Sequence, residues 1–457
     1  MNPSYHTTLA QVRPTLADMA QWPQHLRLLH QQLRPFFARL EPWQHTLLYL
    51  QAVLSEIPRK NGWQIAEHAR QARPYGMQRL LSRAIWDHDG VRNVLRTLLC
   101  HTLTPPATSS DKAELLFPIL VVDESGCPKR GTHSPGVAHQ YCGLTSRVEN
   151  CQVGVFLSFV TAHGHGLIDR ELYLPQVWGQ DQARRQAAHI PETVTFQTKP
   201  ELARLMLQRT LATGLRPRWV AADTVYGHST DLRLFLEEQD LAYALAVPST
   251  EVVGAWTPTG PRLADVATLA AQWLTAEDWH RLSASLGTKG ERLFDWARLP
   301  LLHHGILDGH FWLVVRRCLD DPLQRAYYLV FAPLDTPLPL MVEVIGTRWH
   351  IEEDLQNAKD LGLDQYEGRT YVGWYRHITL VLLAAAFLLA LGVQEPEAPE
   401  QDAPLIPLTR SEVSHLLAHL FWPPPTSVPF IMQWSQWRRT HQYWAGYYHR
   451  RRRQKAG

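Results

Sequence analysis

Three carboxylates stand where divalent ions could be held: Asp123, Asp223 and Glu352. Asp123 ends the apolar run Phe117-Pro118-Ile119-Leu120-Val121-Val122, and Asp223 ends a second one, Trp219-Val220-Ala221-Ala222. An acidic residue at the end of a buried strand is held rigidly at the rim of a sheet, where ion and substrate both reach it. Glu352 falls on a predicted helix between Arg348 and Lys359. At about 100° per residue these three share one helix face. Hard oxygen ligands suit Mg2+ or Mn2+, and no soft-ligand cluster competes with them. The chemistry this predicts is two-metal phosphoryl transfer on nucleic acid, with Arg348 and Lys359 on backbone phosphate. Each group also has an ordinary reading. An Asp after a strand caps a loop or the next helix, and an Arg–Glu–Lys ladder is worth roughly 0.2–0.5 kcal/mol per pair.

The elements that must position these residues follow a readable order. Strands are predicted over Phe117–Asp123, Gln152–Thr161 and about Gly166–Leu174, with a Gly/Pro-rich turn after the first. A helix over Glu201–Ala212, a strand over Arg218–Asp223, a helix over Asp231–Gln239 and a strand over Ala242–Pro248 come next. Three antiparallel strands followed by helix, strand, helix, strand is the order of an RNase H-like α/β core. In such a sheet the first and fourth strands are neighbours, which would bring Asp123 beside Asp223. Residues 249–338 then read as a mainly β insertion that carries Trp256, Trp273, Trp279, Trp296 and Trp312. The helix bearing Glu352 is expected from about Pro339 to Leu361, ahead of a core helix over Trp374–Leu391.

The resulting organisation is a helical domain over 1–105, core over 113–248, insertion over 249–338, core again over 339–393, and a C-terminal region over 394–457. Linkers are expected at 104–112 and, acidic and Pro-rich, at 394–404. In the first domain RKNGWQIAEHARQ could form half of a helix-turn-helix, or simply a bundle helix.

The 457 residues carry a net charge of +2, unevenly placed. After Glu412 there is no acidic residue, and Arg438, Arg439, Arg450, Arg451, Arg452, Arg453 and Lys455 give that tail +7, leaving −5 elsewhere. Such a basic arm binds polyanions, here DNA phosphate. The five cysteines form no CxxC pair and read as reduced thiols of a cytoplasmic protein. The N-terminus shows no signal-peptide core. The apolar stretch Ile378–Val393, 16 residues, falls short of the roughly 20 that span a bilayer, so a core helix and no membrane partner are expected. His163 and His165 read as loop residues and His228 as a minor candidate near Asp223. A glycoside hydrolase also uses paired carboxylates, but the basic tail and the cations flanking Glu352 disfavour it.

RWHIEEDLQNAKDLGLDQYE resembles the signature helix of DDE-type insertion-sequence transposases with a Tyr-Arg-Glu-Lys motif, at Arg348, Glu352 and Lys359. VVDESGCPKRGTHSPGVAHQYCG and AADTVYGHS resemble the blocks around that family's two Asp residues, and WYRHITLVLLAAAFLL its following helix. The resemblance runs from about 117 to 390. The motif's Tyr position is Ile345 here. The resemblance implies cut-and-paste transposition in a prokaryotic, nucleoid-associated setting: a homodimer binds terminal inverted repeats, cuts the element ends and joins their 3′-hydroxyls to target DNA. Relatives with a β insertion form a DNA hairpin and stack a flipped base on a Trp, for which Trp296 and Trp312 are the candidates. The alternative is a domesticated DNA-binding protein without catalysis.

Overall fold

The computed structural model describes residues 16–104, 116–257, 260–287, 290–393, 409–423 and 427–456. The two expected linkers lie almost wholly outside them. Five helices open the described chain: α1 (Leu16–Gln32), α2 (Leu40–Val53), α3 (Gly62–His68), α4 (Tyr75–Ser82) and α5 (His88–Leu103). Asp87 starts α5 by accepting the backbone N–H groups of Asp89 and Gly90. Val91, Leu95, Leu99 and Leu103, spaced by four, give α5 one buried stripe. That stripe seats the helix on β4 and on the later helix α14.

The sheet is built on β1 (Ile119–Pro128), β2 (Ala138–Cys142), β3 (Arg147–Thr161) and β4 (Gly164–Leu172). Next come α6 (Gln176–Gln180), α7 (Gln182–Ala187), α8 (Lys199–Leu211), β5 (Trp219–Ala222), α9 (Thr224–Gly227), α10 (Thr230–Glu238) and β6 (Ala242–Val247). β1 is antiparallel to β3, whose outer edge is shared by β2 and β4. On its other side β1 is parallel to β5, and β5 to β6. The order β4-β3-β1-β5-β6 is the RNase H-like arrangement. β1 and β5 are buried along nearly all of their shared length, as apolar runs in a sheet covered on both faces must be.

Residues 249–338 hold β7 (Val252–Thr257), β8 (Gly260–Asp265), α11 (Val266–Trp273), β9 (His280–Gly287), β10 (Gly290–Pro300), β11 (Phe311–Arg317) and β12 (Arg325–Phe331). β7 and β8 form a separate hairpin. β12 pairs antiparallel with β6, and β11, β10 and β9 follow in order, so the sheet runs on to ten strands. A second apolar cluster, including Val253, Val266, Leu269, Leu301, Leu313 and Leu329, fills one side of this extension.

The chain returns through α12 (Leu338–Thr347), α13 (Trp349–Asp360) and α14 (Tyr371–Val393), and ends in α15 (Arg410–Leu420) and α16 (Val428–Ala456). Among the described residues, Tyr371–Gly392 is long and apolar enough to cross a membrane, but 83% of that window is buried inside the protein. It is the core helix expected.

Four local expectations are corrected. β1 does not end at Asp123 but continues to Pro128, because β3 goes on pairing with it. β2 was not foreseen; its residues, Ala-His-Gln-Tyr-Cys, lack the apolar–polar alternation that announces a strand. The single helix expected over 339–361 is divided at Arg348, where backbone bonds tighten to Arg348 N–H to Ile345 O and Ile351 N–H to Arg348 O. His165 lies on β4 rather than in a loop.

Candidate active site

Parallel pairing between β1 and β5 runs from Ile119 opposite Trp219 to Val122 opposite Ala222. The next residue along each chain segment is a carboxylate, so Asp123, still within β1, and Asp223, just past the end of β5, stand side by side. Asp123 stays anchored, since β1 is still paired to Phe156 there and its Oδ1 accepts the Glu124 N–H at 2.7 Å. Asp223 also caps α9, accepting the Val225 N–H at 2.9 Å. The ordinary reading of that residue is therefore true as well. Behind it α9 lies against β6 so closely that a Cβ on Gly227 would meet the Ala246 carbonyl oxygen at 2.0 Å. Only glycine fits there.

Opposite the two Asp residues stands the α12–α13 junction. Gly346 sets it against β9: a Cβ there would lie 1.8 Å from the Ala284 carbonyl oxygen. Two residues on, the Arg348 guanidinium forks between the carboxylates. Nη1 donates to Asp123 Oδ2 at 3.2 Å and Nη2 to Glu352 Oε1 at 2.8 Å. The i, i+4 spacing of Arg348 and Glu352 makes the second contact, and the fold makes the first across 225 residues.

A fourth carboxylate belongs to the cluster. Glu124 accepts Lys199 Nζ at 2.5 Å and the Tyr226 hydroxyl at 2.6 Å. The Asp-Glu pair at the end of an apolar run was a visible signal, and so was the Tyr of AADTVYGHS; their partnership was not. Negative charge is in excess here. Burial, then Asp223, pushes the Asp123 carboxyl up to about 7, against the pull of Arg348. Burial and Glu124 likewise raise Asp223.

Lys359 sits near Cys127, further along β1, and takes no part in the Arg348 fork. Ile345 is buried, so no tyrosine hydroxyl is offered from that position. His228 pairs with the buried Glu251 at 2.5 Å. Trp296 is fully buried between Phe294 and Tyr328 and, as placed, offers no face to a base. Trp312 is half-buried, with the Arg298 guanidinium 4.2 Å from its ring centroid. In the tail, α16 docks on α3: Trp434 Nε1 donates to the Gln71 carbonyl, Trp437 meets Trp63 edge-on, and Arg438 pairs with Glu67 at 2.5 Å. Arg439, Arg450 and Arg451 lie further along α16, as do the backbones of Arg452 and Arg453.

The donor set fits divalent ions in kind: three hard carboxylates, with a cation already seated between two of them. The spacing is wider than a single-ion cage. Among the described residues, the groups with ligand atoms all within 4.8 Å of one another are Glu56–His415–His419, His165–His350–Glu353 and Glu237–His303–His304, not the three carboxylates. Arg348 must give way before Asp123 and Glu352 can share an ion.

Residues 35–263, half of the chain, match the family model of the DDE superfamily endonuclease. Asp123 and Asp223 fall inside this match and Glu352 outside it. A probable transposase for insertion sequence element IS701 from Microchaete diplosiphon is 26% identical over 201 residues, covering 44% of this chain and 47% of that protein. The chain thus spans about half the length of this curated relative. Among solved structures, the piggyBac transposase synaptic complex with hairpin DNA aligns over 90% of this chain and 82% of that one, at 12% identity and a TM-score of 0.44. At that level the strand order, not the neighbour, carries the fold assignment.

Proposed function

Because this chain belongs to the DDE superfamily of endonucleases, we propose that it is a transposase that cuts the ends of its element and joins their 3′-hydroxyls to target DNA. Membership implies dependence on divalent metal. The observation that carries the reading is the pairing of Val122 with Ala222, which sets Asp123 beside Asp223 and opposite the Arg348–Glu352 pair. Two Mg2+ or Mn2+ ions held by Asp123, Asp223 and Glu352 would supply activation of the attacking oxygen and stabilisation of the leaving one.

The protein's own groups do the rest. Arg348 bridges two carboxylates in the free protein and, once released, presents a planar fork to a DNA phosphate. Lys199 and Tyr226 fix Glu124 in place, from where it adds to the negative charge beside Asp223. Lys359, Arg439 and Arg450 to Arg453 are assigned to backbone phosphate, with Arg438 partly committed to Glu67. Of the two tryptophans considered for base stacking, Trp312 is kept and Trp296 is not, given its burial. The partners are terminal inverted repeats and target DNA, engaged by a homodimer in the prokaryotic cytoplasm.

The test is strand cleavage of a labelled duplex carrying the element ends, with Mg2+ or EDTA, for wild type and Asp223→Asn. Metal-dependent nicking at the end, absent from the variant while specific binding persists, supports the assignment. Specific binding without nicking in Mg2+ or Mn2+ would replace it with a DNA-binding protein that has no catalysis.

A further inference from the structure

On α13, away from the Arg348–Glu352 pair, a second constellation has no part in the chemistry above. His350 and Glu353, one turn apart, meet His165 from β4. Glu353 Oε2 lies 3.3 Å from His165 Nε2 and 3.4 Å from His350 Nδ1. The two imidazoles stack with centroids 4.3 Å apart and an interplanar angle of 26°. One ligand atom from each residue falls within 4.8 Å of the others. In a tetrahedral site with metal–nitrogen bonds of about 2.0 Å, neighbouring ligand atoms are about 3.3 Å apart. Two of the three edges already have that length.

The ring of His165 is also oriented from behind. Its Nδ1 meets Asp354 Oδ1 at 2.9 Å. Asp354 is fully buried and fixed in turn by the Ser158 hydroxyl at 2.6 Å and by Arg410 at 2.9 Å. Arg410 also donates to the His165 carbonyl oxygen at 2.5 Å. A buried carboxylate on one ring nitrogen holds that N–H, which is how metal-binding histidines are commonly supported, and the proton that Nε2 shares with Glu353 leaves as the ion enters. The other two His–Glu clusters found among the described residues lack a buried carboxylate of this kind. Glu56–His415–His419 is exposed throughout, and the carboxylate behind His303 is the part-exposed Asp308.

We propose that His165, His350 and Glu353 form a binding site for one imidazole-preferring divalent transition-metal ion, such as Zn2+, separate from the carboxylate site that takes Mg2+ or Mn2+. Two nitrogens and one oxygen select against the hard ions. The ion ties α13 to β4 and, through Asp354 and Arg410, to the first residue of α15. Glu352 is the residue next to Glu353, so the ion fixes the rotation of the helix that carries it. This inference does not depend on the transposase reading.

The test uses untagged, EDTA-treated full-length protein in excess Mg2+, titrated with Zn2+ by calorimetry and with Co2+ by visible absorption. One equivalent should bind, with the intense cobalt bands of a four-coordinate site. His350→Ala and Glu353→Gln, both at partly exposed positions, should each weaken binding at least about tenfold, and His415→Ala should not. Zn2+ should also raise the melting temperature of wild type but not of His350→Ala. Absence of binding, binding that survives both α13 variants, or binding removed by His415→Ala would overturn the proposal.

Discussion

Two carboxylates on neighbouring parts of one sheet, the fully buried Asp169 and the partly buried Asp123, meet opposite fates. Asp169 on β4 is inaccessible to solvent and faces Arg96 and Arg209 at 2.6 Å, with Arg170 at 3.6 Å and Arg92 at 3.7 Å. Burial alone would raise its pKa, but Arg209, Arg92 and Arg170 hold it below the usual carboxylate range. Asp123 has one guanidinium, shared with Glu352, and two acidic neighbours, and it is pushed up to about 7. A surplus of cations around a carboxylate makes a clamp, here between α5, β4 and α8. A deficit makes a site that calls for an ion. The difference separates architecture from chemistry within a single sheet.

Removing charge from the two places should therefore have opposite signatures. Asp123→Asn or Glu352→Gln should reduce metal-dependent cleavage by more than about 100-fold, beyond the loss typical of altering a group that only supports a metal ligand. In EDTA, Asp123→Asn should leave the urea midpoint unchanged or raised, since repulsion is relieved. A cleavage rate near wild type would break the comparison at its functional end. Asp169→Asn should lower stability by about 3–5 kcal/mol, because several buried guanidiniums lose their partner, as read by urea unfolding. A loss of unfolding free energy under about 1 kcal/mol would break it at the structural end.

A third buried group sharpens the contrast because it is neutral and satisfied. His377 meets the Tyr49 hydroxyl at 2.7 Å and the Gly362 carbonyl oxygen at 2.8 Å, and burial pulls its pKa down from 6.5 to about 4. The fold thus prefers the uncharged ring. Its contribution is complete above pH 6.5 and is lost as pH falls toward 4, up to about 3 kcal/mol in all. Denaturant midpoints measured across that window should fall for wild type and stay flatter for His377→Gln. The smallest effects belong to the surface. Arg438→Ala should change stability by less than about 1 kcal/mol. Arg450→Ala and Arg451→Ala should each flatten the salt dependence of DNA affinity by about 0.9 in log–log slope, measured by anisotropy; unchanged slopes would remove α16 from the DNA interface.

What the sequence made legible was local or periodic. Two apolar runs ending in Asp announced β1 and β5, and the strand order made them neighbours. The spacing of Arg348 and Glu352 announced their pair. What it hid depends on contacts between distant segments. Nothing near Glu124 announces Lys199 or Tyr226, and nothing in β4 says that His165 will meet a helix 185 residues later. Trp296 illustrates the same limit in reverse: an aromatic suited to stacking proves to be core, because β10 packs that face inward. The four arginines around Asp169 come from three elements whose docking no periodicity reports.

The continuation of the sheet that carries Asp123 into β12, β11, β10 and β9 has a mechanical meaning. Strands in one hydrogen-bonded sheet move together, so β9 to β12 form an arm continuous with β6, while the β7–β8 hairpin stands apart from it. From β1 to β10 there are five strand-to-strand steps, or about 24 Å at the usual spacing. With a twist of about 20–25° at each step, the far strands are turned by roughly a right angle from the strands that carry Asp123 and Asp223. A straight rod laid along the carboxylate end of β1 and β5 would cross β10 and β11 broadside. The arm thus acts as a fixed gauge: whatever rests on it is held at a set distance and a set angle from the reacting end.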